Sequence, residues 1–86
     1  MIVEIRIPAA ATLPRTIART GDGISQACNL LQGRGLDRTQ IRVHGYRLRR
    51  DRDKTGVKIQ LVYRVAPDTM PGDVWSRKPE RVLIVG

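Results

Sequence analysis

At 86 residues and a net charge of +8, the chain has room for one modest hydrophobic core, so residues 1–86 are read as a single domain. It contains no Phe and only Trp75, Tyr46 and Tyr63 as aromatics, which leaves a core of Ile, Val, Leu and Ala and tilts it towards sheet, where β-branched residues pack well. No stretch approaches the roughly 20 apolar residues that span a bilayer, and the single Cys28 excludes an internal disulfide and a thiolate zinc cluster.

The first element is a strand. From Ile2 to Ile7 the apolar residues Val3, Ile5 and Ile7 alternate with Glu4 and Arg6, the period of two that a strand requires. Pro8 ends it. The opening MIVEIRIPAAATLPR carries Glu4 and only a short apolar run, so it does not read as a signal peptide. Ala9 to Arg19 is ambiguous, with Pro14 suited to the first turn of a short helix.

A clearer helix follows. Asp22 reads as an N-cap, with Ile24, Ala27, Cys28 and Leu31 behind it at i, i+3, i+4 and i+7. Gly33 or Gly35 supplies the left-handed residue that ends it. The expected helix is short, about nine or ten residues, and depends on packing against the sheet.

Ile41–Arg50 and Val57–Val65 then read as the two strands of a hairpin around Asp51-Arg-Asp-Lys-Thr-Gly56. The second strand alternates strictly, with Val57, Ile59, Leu61, Tyr63 and Val65 inward. The first does not: Ile41 and Val43 share one phase, Tyr46 and Leu48 the other. A slip of one residue needs an extra residue, and a β-bulge at His44–Gly45 supplies it. With that bulge Ile41, Val43, Tyr46 and Leu48 face the core, and Arg42, Arg47 and Arg49 face out beside Lys58 and Arg64. Ala66–Glu80 is a connection broken by Pro and Gly, and Arg81–Val85 runs apolar without alternation, as a central strand covered on both faces does. The expected fold is therefore α+β: one small sheet of about four strands, in the order β-α-β-β-β, packed on one short helix, with a basic β-hairpin.

Charge is concentrated on that hairpin. Residues 34–64 hold eight Arg and two Lys against three Asp, whereas residues 1–33 and 65–86 carry net charges of +1 and 0. A GC-rich genome raises the arginine content throughout a chain, but it does not gather it in one third. Such asymmetry marks a binding face for an anionic partner. Nucleic acid fits best, as duplex DNA or structured RNA, because arginine bridges phosphates and reads guanine edges. The expected contacts are Arg42, Arg47, Arg49, Lys58 and Arg64 on the outer face and Arg50, Arg52 and Lys54 at the tip. Single strands fit less well, since Tyr46 and Tyr63 point inward and leave that face without stacking rings.

Two other readings stand beside this one. In the first, the protein is a small adaptor or inhibitor from a mobile genetic element, docking on an acidic surface of a protein or nucleoprotein complex. His44, Trp75, Arg77 and Lys78 are candidate interface residues, because exposed Trp with Arg is typical of binding hot spots. The second is a minimal ribonuclease centred on His44, with Arg47 and Arg49 to stabilise developing phosphate charge. IRVHGYRLRR followed by VKIQLVYRV resembles, over about a quarter of the chain, the strand pair IRV-x-x-YR-φ of the RelE/ParE toxin superfamily, φ being apolar. That family's long N-terminal helical hairpin has no counterpart here, and the family is not assigned.

Cys28 sits on the apolar stripe of the helix and reads as a buried, inert thiol. Gly21-Asp22-Gly23 lacks the third Gly and the Lys of a phosphate loop. No carboxylates, histidines and cysteines share ligand spacing, so neither a metal nor another cofactor is expected, and no catalytic residue is assigned. The overall expectation is a cytoplasmic, non-enzymatic binding protein without membrane contact. If Ile41–Arg50 is an edge strand, it also offers a homodimer by strand pairing.

Overall fold

The computed structural model describes residues 1–9, 12–70 and 73–86, without the side chain of Asp53. The elements run β1 (Val3–Pro8), α1 (Leu13–Gly33), a 3-10 turn (Arg38–Gln40), β2 (Ile41–Asp53), β3 (Gly56–Pro67), a second 3-10 turn (Val74–Ser76) and β4 (Arg81–Ile84). This is the α+β order expected. The four strands form one mixed sheet ordered β2-β3-β1-β4, with β1 antiparallel to β3 and parallel to β4. The connection predicted for Ala66–Glu80 includes Pro71 and Gly72, which lie outside the described residues.

β1 is the buried centre. Val3, Ile5 and Ile7 point to the helix and pack with Ala27, Leu31 and Val65 in the main core. On the other face residues 73–80 lie over one end of the sheet. There Val74 packs on Ile2 and Ala66, with Met70 at the edge, forming a second small core. Alternation in β1 therefore sorts residues between two covered faces, and even its one acid, Glu4, is buried.

The helix differs from the short one expected. It runs 21 residues from Leu13, with Pro14 in its first turn as foreseen, and Asp22 lies mid-helix rather than at a cap. Its apolar stripe starts earlier, at Leu13, Ile17 and Thr20, and continues through Ile24, Ala27 and Leu31. Gly21 and Gly23 weaken a helix by about 1 kcal/mol each relative to alanine, but Gly23 is needed for close packing. A Cβ there would lie 2.6 Å from Cγ2 of Ile5, which is wholly buried on β1. Of the two glycines expected to close the helix, Gly35 is the left-handed one: its N–H donates to Gln32 O at 3.0 Å and Leu36 N–H to Leu31 O at 3.2 Å. Gly35 has φ +94°, and the paired bonds are those of a Schellman motif, with Leu36 folded back on the Leu31 core.

These surroundings predict opposite signs for two neighbouring substitutions. A methyl added at Gly21 would meet no atom within 4 Å, so Gly21→Ala is expected to raise stability by about 0.5–1 kcal/mol through helix propensity alone. Gly23→Ala gains the same propensity but must push back a branched methyl in a packed core, an overpacking cost of about 1–3 kcal/mol, and is expected to lose stability overall. Urea melts of the two variants give the answer, and a stabilised Gly23→Ala would disprove the close-packing role.

β4 is also corrected. It is a four-residue edge strand, not a central one, and its Val82 and Ile84 are 40% and 71% exposed. The apolar run of Arg81–Val85 is long enough to suggest burial, but its outer neighbours are absent because β4 pairs with β1 alone.

The bulge falls where the phase slip placed it. Val43 pairs with Val65 and Tyr46 with Tyr63, so His44 and Gly45 together face Arg64. Beyond it the hairpin is regular to the Asp53–Gly56 pair. β1 is only six residues long and its pairing with β3 stops at Pro8–Gln60. Ala9 N–H still donates to Ile59 O at 2.9 Å, and residues 50–58 then project past the end of β1 as a two-stranded ribbon. This overhang changes the surroundings of the inward residues. Tyr46, Leu48, Val57 and Ile59 keep the helix-side phase but are exposed rather than packed in the core.

Candidate nucleic-acid interface

The outer face of the hairpin begins from a buried acid. Glu4 on β1 accepts from Arg6 Nε at 2.8 Å and from Arg64 Nη2 at 3.0 Å. Arg64 donates further to the carbonyls of Val74 and Arg77. One guanidinium thus ties β3 to β1 and to the segment lying over the sheet. Ionised donors and acceptors make the stronger hydrogen bonds, and a buried carboxylate needs such partners to stay charged.

Trp75 is the next layer. Its backbone N–H is capped by Asp73 at 2.8 Å and its Nε1–H donates to His44 O at 3.2 Å. The indole is stacked by Arg64, 5.0 Å from the ring centroid, and by Arg47, 4.6 Å away. His44 Nε2 lies 3.0 Å from Pro67 O. Because a peptide carbonyl only accepts, that nitrogen carries the hydrogen. Bulge, histidine and indole therefore form one unit that fixes where β2 turns outward.

The cations fall into groups. Arg42, Arg47 and Arg49 share the outer face of β2, as the alternation required, with Arg42 opposite Ala66 near the covered end. Arg49 pairs with Asp51 at 3.0 Å, both side chains nearly half exposed, an arrangement worth little to stability and easily exchanged for another anion. Lys58 lies across from Asp51 on the same face. Arg50 and Arg52 occupy the opposite phase, across from Ile59 and Val57, so the ribbon presents cations on both faces, with Lys54 in the turn. Among the described residues, no side-chain hydrogen bond or ion pair engages Arg42, Arg50, Arg52 or Lys54. Arg64 shares the face but is held inside the fold, with a side chain only 11% exposed. Arg77 and Lys78 are exposed beyond Trp75, and Arg77 reaches Met70 Sδ at 3.8 Å.

Sequence reasoning missed Glu4 and Arg6, although an acid and a base at i and i+2 on one strand face were a visible signal. It also left the outer face without an aromatic ring, whereas Trp75 is brought there by residues 73–80. A shallow depression of about 210 Å³ lies among Glu4, Arg47, Arg49, Val62, Arg64 and Trp75. Among the described residues no group of three His, Cys, Asp or Glu could hold a metal ion, and no helix is long and apolar enough to cross a membrane. No protein family, curated protein or solved structure matches the chain.

Proposed function

We propose that the protein binds duplex nucleic acid, DNA or structured RNA, with the projecting hairpin as its reading element and the outer face of β2 as its phosphate contact. One observation carries this reading: beyond Ala9, whose N–H donates to Ile59 O at 2.9 Å, residues 50–58 continue as a two-stranded ribbon that pairs with no other strand among the described residues, with exposed cations on both faces. Strands lie about 4.8 Å apart, and a ribbon of that width with its side chains enters a major groove about 12 Å wide. Inside a groove both faces of the ribbon meet phosphate walls, which suits Arg50 and Arg52 on one side and Arg49 and Lys58 on the other. Arg42 and Arg47, nearer the body, lie where the flanking backbone would pass. Arg64 is better described as the support for this face than as a contact.

The reading is non-enzymatic and cytoplasmic. His44, the one imidazole, is used on Pro67 O, which ties it to the bulge rather than to a substrate.

The test is a salt series with labelled DNA and RNA duplexes. Affinity should fall as salt rises, with a log–log slope of about −0.9 for each phosphate contacted on B-DNA. Arg47→Ala/Arg49→Ala and Arg50→Ala/Arg52→Ala should each shrink that slope by about 2 while leaving the melting transition in place. Failure to bind either duplex at low salt would end the proposal.

A further inference from the structure

The inner side of the molecule carries a second surface, unlike the cationic face in chemistry. Six large apolar side chains are exposed there: Leu13 (72%) and Ile17 (61%) on α1, and Tyr46 (66%), Leu48 (70%), Val57 (56%) and Ile59 (42%) on the hairpin. Leu13, Ile17 and Tyr46 line, with Leu61 and Tyr63, an open groove of about 360 Å³ between the first turns of the helix and the hairpin, and Leu48, Val57 and Ile59 continue the inner face of the hairpin beyond it. Tyr46 and Tyr63 pair across the strands with ring centroids 5.8 Å apart, giving the groove a firm aromatic wall. Single exposed apolar residues are ordinary, but an apolar surface shared by two elements marks an interaction site.

The overhang explains why the groove is open. β1 stops at Pro8, so the strand that fills the core under Ile24, Ala27 and Leu31 is absent under Leu13 and Ile17. Nothing in the fold requires apolar residues at these exposed positions, yet the helical stripe and the strand alternation both continue through them.

We propose that this groove is the docking site for an acidic amphipathic helix of a partner protein. Charge decides the occupant. Arg50 and Arg52 continue the inner face at the distal end, paired with Ile59 and Val57. No Asp or Glu occurs between Pro8 and Asp22, nor at any inner-face position of β2 or β3. A second copy of this chain would bring a net +8 and its own Arg50 and Arg52 to the contact, so like charges would meet. A polyphosphate would gain nothing from six apolar side chains. A helix with apolar anchors at i, i+3 or i+4, and i+7 and carboxylates on its flanks satisfies both requirements, and a groove walled by a helix and a sheet receives such a segment along its length. Because Arg50 and Arg52 are also the inner-side phosphate contacts of the proposed duplex complex, the helix and a duplex would compete for the ribbon.

The probe is a display library of random peptides of about sixteen residues, long enough for four helical turns, selected on the immobilised full chain. Expected winners combine Asp or Glu with Leu, Ile, Phe or Trp at helical spacing. A synthetic winner should bind Ile17→Ser/Leu48→Ser about tenfold or more weakly, at positions exposed enough that folding is unchanged, as a thermal melt will verify. Arg50→Gln/Arg52→Gln should weaken it and flatten its salt dependence. Arg47→Ala/Arg49→Ala, on the other face, should leave it as tight as wild type. The proposal is overturned if nothing is enriched over the Ile17→Ser/Leu48→Ser bait, or if the winners are neutral or basic. It is equally overturned if ultracentrifugation finds a dimer that the same variant disperses, or if vesicles of phosphatidylcholine and phosphatidylserine bind in its place.

Discussion

Glu4→Ala is expected to lower the unfolding free energy by about 3–5 kcal/mol, the cost of removing one partner from a buried ion pair. Glu4 and Arg64 have side chains only 6% and 11% exposed, so the guanidinium left behind has little water to replace the carboxylate. For a domain of this length the total stability is about 4–13 kcal/mol, so the variant sits near the threshold of folding. The loss should not be read as the worth of the pair. Bringing both charges out of water was itself expensive, and a pair of apolar residues of similar volume avoids that expense. Glu4→Leu/Arg64→Met should therefore recover much of the stability that Glu4→Ala loses, giving a coupling of about 1–3 kcal/mol in a double-mutant cycle. Urea unfolding of wild type, Glu4→Leu, Arg64→Met and the double variant measures it. A Glu4→Ala protein within about 1 kcal/mol of wild type would show that water reaches Arg64 and that the network is not a buried one.

The same network bears on function, because Arg64 also holds the carbonyls of Val74 and Arg77 and supports Trp75. If the double variant is stable but Trp75 is loosened, the ion pair serves position more than stability. A buried charge kept at this expense fits a need to fix one surface geometry, here that of Arg47 and Arg49.

Local patterns were legible in the sequence, and lengths and neighbours were less so. Period-two alternation located β1, β2 and β3, and the phase slip between Val43 and Tyr46 located the bulge, because burial on one face makes register visible. The N-terminal half of α1 was obscured by Gly21 and Gly23, which read as a break until Ile5 is seen to need the space. β4 was misplaced because an apolar run reports what could be buried, not what lies beside it. The exposed inner face had a signal that went unused: a six-residue β1 bounded by Pro8 cannot cover strands of twelve and thirteen residues. At the site, the sequence identified the cations by their clustering. It could not separate Arg64 from the others, since its partners Glu4, Val74 and Arg77 are 60, 10 and 13 residues away.

Gly45→Ala is expected to cost about 1–3 kcal/mol and, unlike an equivalent change elsewhere, to alter the emission of Trp75. Gly45 has φ +109°, which an L side chain adopts only with strain of that order. Space is not the obstacle, because the added methyl would meet nothing closer than Trp75 Nε1 at 3.7 Å. The backbone itself must therefore shift. His44 O accepts the indole hydrogen bond at 3.2 Å, so a shift at the bulge reaches the ring and the Arg47 stacked on it. Gly35→Ala is the control. It has a similar φ of +94° and open space, but it closes the far end of the helix. Both variants should lose stability by comparable amounts in urea. Only Gly45→Ala should shift the fluorescence of Trp75, the single tryptophan, in the folded state below the transition. Should it also weaken duplex binding while Gly35→Ala does not, the bulge is what sets Arg47 and Arg49 in phase on the binding face. Identical folded-state spectra for the two variants would mean that the bulge absorbs the strain locally, and that the aim of those arginines is set by the hairpin pairing beyond it.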